Sequence, residues 1–325
     1  MRASVIIPSG NGRPHLPLCL AALRRQSFRD FEVVLVDNNS ADDSLPFVRR
    51  EFPEVRIVAL PYNGVFAGAV NAGLRRASGE IAVLLNNDTE AEPDWLAELI
   101  GALDREPEAS MAASKLLLFD RRDTLHSAGD YYGLDGVPGS RGVWQRDDGR
   151  YDRDRWVFGA CGGAAAYRRS MLRDVGLFDE ELVAYCEDVD LNLRARLAGH
   201  ACVFAPRARV YHKLSATGGG PLASYYCGRN FLYVMAKDVP APILRRHWRR
   251  MLGAQLRLAL DAARHGREAA ARARLRGQLA GLRLLPRALV RRRLVQPRAR
   301  VSPAALERLM ALADRPTADL AWSGR

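Results

Sequence analysis

Four strand-like runs of five residues each, Ser4–Pro8, Glu32–Val36, Val55–Ala59 and Ile81–Leu85, punctuate the first hundred residues, with helical spacing between them. No other feature constrains the fold as much. Runs this short suit strands rather than helices, and strands alternating with helices build βαβ units around a mostly parallel sheet. The intervening helices are expected near His15–Gln26, near Asp43–Arg50, and from Asn63-Gly-Val-Phe-Ala-Gly68 to about Ala77. Ligands of such sheets collect outside the carboxyl ends of the strands. Asp37 and Asp88 each follow a strand end, so both are expected in one crevice.

Further along, Asp120–Arg155 is rich in Gly, Asp and Arg, lacks periodicity and reads as long loops. Regular structure is expected again over Trp156–Tyr167, in a helix opening near Glu187, and in a strand over Ala201–Ala205. After Gly218-Gly-Gly-Pro221 the chain reads as helices broken by prolines, Leu222–Lys237, Ile243–His265, Arg267–Leu284 and Ala304–Ala313. The Glu187 helix carries Glu187, Asp188 and Asp190 in its first turn, with Val189, Leu193 and Leu197 repeating at a spacing of four. Acids suit a helix start, where exposed N–H groups carry partial positive charge. A second acidic element, Leu84–Thr89, lies a hundred residues upstream, and His212 follows downstream. The three together suggest a metal-and-base site.

Charge is unevenly spread. The net +12 divides into about +15 from Pro240 onward, with twenty arginines, no lysine and five acids, and roughly −3 before it. Three readings of the basic part stay open: a solvated helical face, an anionic membrane surface, or nucleic acid. Leu252, Leu256, Leu260 and Ala263 form an apolar line beside Arg245, Arg246, Arg249 and Arg250, as in an interfacial helix. No zinc finger or RNP aromatic pattern accompanies the charge, so nucleic acid is not the expected partner. Five scattered cysteines without a CxxC pair suit neither a disulfide framework nor a zinc site, and point to a reducing cytosol. Met1–Pro8 reads directly as a strand without the pattern of a signal peptide, and no apolar run is long enough to span a bilayer.

The chain has no GxxxxGK[ST] and no GxGxxG after its first strand, which excludes a P-loop and argues against a dinucleotide fold. Gly159-Ala-Cys-Gly-Gly163 has two readings, close packing or a loop that admits a substrate to the main chain. Seven segments occur in a familiar order: Ser4-Val-Ile-Ile-Pro8, Val36-Asp-Asn-Asn-Ser-Ala-Asp-Asp-Ser44, Asn63-Gly-Val-Phe-Ala-Gly-Ala-Val-Asn-Ala-Gly73, Leu85-Asn-Asn-Asp-Thr89, Gly163-Ala-Ala-Ala-Tyr-Arg-Arg169, Gly176-Leu-Phe-Asp-Glu180 and Glu187-Asp-Val-Asp-Leu191. Through them, residues 3–215 resemble the inverting nucleotide-sugar glycosyltransferases of family two, in the branch of bacterial rhamnosyl- and galactofuranosyltransferases.

The resemblance implies a GT-A, Rossmann-like α/β catalytic domain over 1–218 and a basic helical extension over 219–325. It implies transfer of a sugar, rhamnose being the most specific expectation, from a UDP- or dTDP-sugar to a lipid-linked or polysaccharide acceptor. A divalent cation, Mg²⁺ or Mn²⁺, goes with it. Asn86 occupies the first place of the family's Asp-x-Asp motif, leaving Asp88 to hold the metal, with His212 as the additional ligand. Asp188 matches the base, and Glu187 orients an acceptor hydroxyl or tunes that base. Asp190 is expected to stabilise the helix start or pair with an arginine. Asp37 matches the residue that hydrogen-bonds the nucleobase, with an Asx-type turn or a helix cap as the lesser alternative. Pro8 and Asn87 are expected around the nucleotide, Asn63 and Asn71 in its pocket or the turns that shape it, and Gly162, Gly163 and Trp156 on the acceptor side. The implied location is peripheral, on the inner face of a bacterial plasma membrane. A nucleotidyltransferase acting on sugar phosphates and a non-catalytic membrane scaffold are the alternatives.

Overall fold

The computed structural model describes residues 1–213 and 219–312. The first elements are β1 (Ala3–Ser9), α1 (Leu16–Arg24), β2 (Phe31–Asp37), α2 (Ser44–Glu51), β3 (Arg56–Ala59), α3 (Val65–Arg76) and β4 (Ile81–Leu85). This is the expected alternation, and β1 pairs in parallel with both β2 and β4 while β2 pairs in parallel with β3. Next come β5 (Thr89–Ala91), α4 (Trp95–Arg105), β6 (Ala109–Leu118), β7 (Leu125–Ser127), β8 (Asp130–Tyr132), β9 (Pro138–Ser140), β10 (Trp156–Val157) and β11 (Ala164–Arg168). The chain continues as α5 (Arg169–Val175), α6 (Glu187–Leu197), β12 (Ala201–His212), α7 (Gly220–Asp238), α8 (Ala241–Arg264), α9 (Ala269–Val295) and α10 (Pro303–Leu312).

The main sheet runs β10-β12-β6-β11-β4-β1-β2-β3. β11 is antiparallel to both neighbours, so it splices the parallel half to β6 and β12. One face is covered by Leu16, Leu20, Trp95 and Leu99, the other by Val70, Leu74, Met171 and Leu191. Trp95, which opens α4, is fully buried and donates from Nε1 to Ser114 Oγ at 2.9 Å. Gly73 lets α3 seat on the sheet, since a Cβ there would lie 2.5 Å from Ile6 Cγ2.

Three boundaries depart from the sequence reading. Residues 120–155 hold strands β7–β9, because the charges that suggested a loop are paired inside. Lys115 binds Asp147 at 3.0 Å and Arg141 binds Asp154, with all but Asp147 almost wholly buried. β12 continues to His212 rather than ending at Ala205, with its register broken around Pro206, which has no N–H for the ladder. α9 runs through Pro286 to Val295 rather than ending near Leu284. Close packing on α7 offsets the lost helical hydrogen bond: a Cβ on Gly277 would lie 2.0 Å from the Tyr225 carbonyl oxygen, and one on Gly281 would lie 2.7 Å from that of Arg229.

The helical part does not stand apart from the sheet. Leu182, Leu193 and Leu197 share one core with Tyr233, Ile243, Met251, Leu284 and Leu306. No helix among the described residues is long and apolar enough to cross a membrane, and all five cysteines are free. Gly218, Ala313, and Asp314 and Asp319, two of the five acids counted from Pro240 onward, lie outside the described residues.

Candidate active site

The approach to α6 is strained. Val183, Tyr185 and Cys186 have φ of 66°, 64° and 69°, a left-handed region that side chains, above all branched ones, rarely adopt. Such residues cost of order 1–3 kcal/mol each and persist where their surroundings over-determine them. Here Asn230 of α7 does so, donating from Nδ2 to the carbonyl oxygens of Leu182, Ala184 and Tyr185 at 2.9, 2.9 and 2.7 Å. The result is that Glu187 and Asp188 open the helix at the end of a rigid turn.

Asp188 is half-buried, accepting from the Gly162 N–H through Oδ2 and from the Val189 N–H through Oδ1, both at 2.8 Å. Burial raises its pKa despite those two donors. Gly159 shows the close packing expected of the glycine cluster. A Cβ on Gly159 would fall 2.3 Å from the Asn192 amide, which also brackets Ala160 through its N–H and C=O, whereas Gly162 and Gly163 line a cavity, where a Cβ would meet Asp188 and Leu116 at 3.2 Å. Asp190 turns away, pairing with Arg194 at 2.7 Å and with Lys237 of α7.

Asp88 reaches the site from the end of β4. Antiparallel pairing of β5 with β12 sets Thr89 opposite His212, and the Lys213 N–H donates to the Asp88 carbonyl at 3.0 Å. Asp88 Oδ1 therefore lies 3.1 Å from His212 Nε2, both residues being buried. His212 Nδ1 faces Nδ1 of His126 on β7 at 3.1 Å, so one ring donates to the other. Burial, together with His212, pushes His126 down to about 3, which keeps it neutral. Sequence reasoning missed His126, which carries no local signal because only the β6–β7 pairing brings it here.

Two compartments meet at Asp88, Asn86 and Phe66. One, of about 420 Å³, is walled by Pro8, Asn63, Asn87 and Asn38. The other, of about 350 Å³, is walled by Glu187, Asp188, Gly162, Gly163, His126 and His212. Leu222 of α7 borders both, so the helical part contributes to the site. Asn63 shapes its own turn, its Oδ1 accepting from the Val65 N–H and from Asn38 Nδ2 at 2.9 Å each. Asp37, at the end of β2, accepts from the Ser40 N–H at 3.2 Å in an Asx-type turn.

Two expected site residues sit elsewhere. Trp156 is packed into the core from β10, with Arg155 over its ring, because its strand pairs against Val203 at the far edge of the sheet. Asn71 is 2% exposed and its amide is consumed in a clamp: Nδ2 donates to the Phe178 carbonyl at 2.9 Å and Oδ1 accepts the Phe178 N–H at 3.0 Å.

Behind Asp188 lies a further buried carboxyl, Asp130 of β8. Ligand atoms of Asp130, Cys161 and Asp188 fall within 4.8 Å of one another. Burial and the Asp188 charge push Asp130 up to about 7, and burial with the same neighbour pushes Glu187 up to about 8. The folded chain therefore holds protons that an unfolded carboxyl releases near pH 4. Their contribution is full below about pH 4 and is lost as pH rises through about 7 to 8. The expected result is a thermal midpoint that falls between pH 5 and 8 more steeply in the parent than in Asp130→Asn. Parallel pH curves for the two proteins would remove this assignment.

The sheet order, with β11 reversed and acids gathered at the β4 end, defines a GT-A fold. The chain belongs to glycosyl transferase family 2, whose model matches residues 4–176. It is 29% identical over 282 residues to the N-acetylglucosaminyl-diphospho-decaprenol L-rhamnosyltransferase of Mycobacterium tuberculosis, covering 78% of this chain and 88% of that protein. It is 30% identical over 231 residues to the O-antigen biosynthesis protein RfbC of Myxococcus xanthus, covering 66% of this chain. The chain spans only 18% of RfbC, and 25% of an uncharacterized Sinorhizobium fredii relative, y4gI. Among solved structures, GalNAc-T7 with UDP, GalNAc and Mn²⁺ matches with a TM-score of 0.58 at 17% identity, covering 73% of this chain and 48% of that one.

Proposed function

We propose that this chain is a metal-dependent, inverting glycosyltransferase that moves a sugar, rhamnose being the specific reading, from a UDP- or dTDP-sugar to a lipid-linked or polysaccharide acceptor. The observation that carries the proposal is the pair of compartments joined at Asp88, with Asp188 on the wall of the second. The first compartment suits the nucleotide, beside Pro8, Asn63 and Asn87. The second suits the acceptor hydroxyl, whose proton Asp188 takes while Glu187, protonated near neutrality, donates to a neighbouring oxygen. Asp37 keeps its reading as the nucleobase partner, at the end of the strand beside the first compartment.

Asp88 and His212 fit a divalent cation: they offer one hard oxygen and one imidazole nitrogen within 3.1 Å, buried at the junction. Such an ion, when bound, supplies charge compensation for the departing diphosphate. The neutral His126 ring beside His212 Nδ1 holds the imidazole in place. Asp88→Ala, or chelation of Mn²⁺, is expected to weaken UDP or dTDP binding by about tenfold or more in calorimetry. Binding indifferent to both would refute the metal assignment.

Support for the acceptor class comes from the rhamnosyltransferase relative, whose name specifies a diphospho-decaprenol acceptor. Family membership favours sugar transfer over nucleotidyl transfer, and open space beside Asp188 favours catalysis over a scaffold. The basic helices, proposed as a unit from residue 219 onward, suit a peripheral position on an anionic cytoplasmic membrane face, with arginine beside exposed leucine.

A further inference from the structure

Between α8, α9 and the last turns of α7 lies a groove of about 730 Å³ walled by Leu232, Met235, Trp248, Leu252, Leu256 and Leu279. Its polar lining amounts to Gln255 and Gln278, and Gln278 donates to the Gln255 carbonyl at 3.0 Å. Trp248, Leu252, Leu256 and Leu279 are each half exposed, between 50% and 54%. An exposed apolar hollow of this size marks an interaction site.

Charge restricts the occupant. α8 and α9 carry fourteen arginines and a single acid, Asp261. Arg245, Arg249, Arg250, Arg276 and Arg283 are exposed near the groove-lining positions of their helices. A second copy of the chain would bring one arginine-rich surface against another, which like-charge repulsion opposes. An anionic molecule with a long hydrocarbon part satisfies both the wall and the surrounding charge.

Position restricts it further. α7 borders the catalytic compartments through Leu222 and Tyr226, and borders the groove through Leu232 and Met235. Met235 lies thirteen positions along the helix from Leu222, about 20 Å at the helical rise. We infer that this groove seats the hydrocarbon chain of an isoprenoid-diphosphate acceptor whose sugar end reaches Asp188. The inference rests on the lipid-linked reading of the acceptor given above. The groove then selects acceptors by their chain, and the arginines attract the diphosphate.

Trp248 provides the measurement. Geranylgeranyl diphosphate, below its micelle concentration, is titrated into the full chain while tryptophan emission is followed, with inorganic pyrophosphate and phosphatidylglycerol vesicles as separate arms. The expected result is a saturable blue shift that is absent with pyrophosphate and absent in Trp248→Phe. Affinity is expected to fall roughly tenfold or more in Leu256→Glu and in Leu279→Glu, because a charge placed in an apolar wall resists burial. Both positions are half exposed, so the fold tolerates the change. No saturable shift, equal affinity in both variants, a shift confined to vesicles, or a concentration-dependent dimer that hides Trp248 would each overturn the inference. Nucleoside diphosphate binding, measured on the same sample, separates the two ideas. Nucleotide binding without the shift sinks the groove alone, and the shift without nucleotide binding sinks the transferase reading.

Discussion

Asp188→Asn is expected to lower the rate of nucleoside diphosphate release by roughly 10²–10⁴-fold, the usual contribution of a positioned general base. Donor affinity should be unchanged, because Asp188 borders the second compartment and not the first. The substitution keeps size and shape, and the amide oxygen can still accept from the Gly162 N–H. What disappears is the capacity to take a proton. The pH profile sharpens the test: Glu187 and Asp188 line one pocket with Asp130 behind Asp188, and burial raises all three. Activity should therefore rise with pH into the neutral range as the pocket loses a proton. Near-parental turnover in Asp188→Asn, or a rate flat from pH 5 to 8, would discard Asp188 as the base.

The second large effect concerns stability and lies just beneath the first. Lys237 of α7 joins Asp190 and Asp179, with side chains 3%, 0% and 12% exposed. Tyr233 donates to the same Asp179 at 3.0 Å, and Arg194 completes the cluster through Asp190. Burial alone would raise Asp190, but Arg194 and Lys237 hold it well below the ordinary carboxylate range. Removing one partner from such a buried set strands the others, at a cost of about 3–5 kcal/mol. Lys237→Met is expected to lose that much in urea unfolding, and Lys237→Met combined with Asp190→Asn should recover part of it. An additive double variant would show that the cluster does not act as a unit. Because α6 carries Asp188 two residues before Asp190, the carboxylate that Lys237 pairs, Lys237→Met should also reduce turnover.

Much of the parallel half was legible because its signals are local. Short apolar runs specify β1, β2 and β4 through burial on both faces, and the helical spacing between them specifies α1 and α3. The acids of the site were legible for a similar reason, since Asp88 follows a strand end and Asp188 opens a helix. The expectation for Asn71 rests on the Asn63–Gly73 resemblance, whereas its partners lie at Phe178 and Glu180, more than a hundred residues away. Trp156 misled because proximity to the glycine cluster in sequence says nothing about which sheet edge receives it.

What the amino-acid order determined by itself was the βαβ succession, the crevice at its strand ends, and the residue types able to hold a cation and take a proton. Tertiary structure alone decided that His126 stands against His212, that Asp130 backs Asp188, that Asn230 holds the strained turn before α6, and that α7 borders both the site and the groove. Spacing along a chain governs periodicity and capping, which act over a few residues. Burial, shared protons and contact between distant strands depend on how the sheet closes, and here that depended on one reversed strand, β11, joining two halves of the chain.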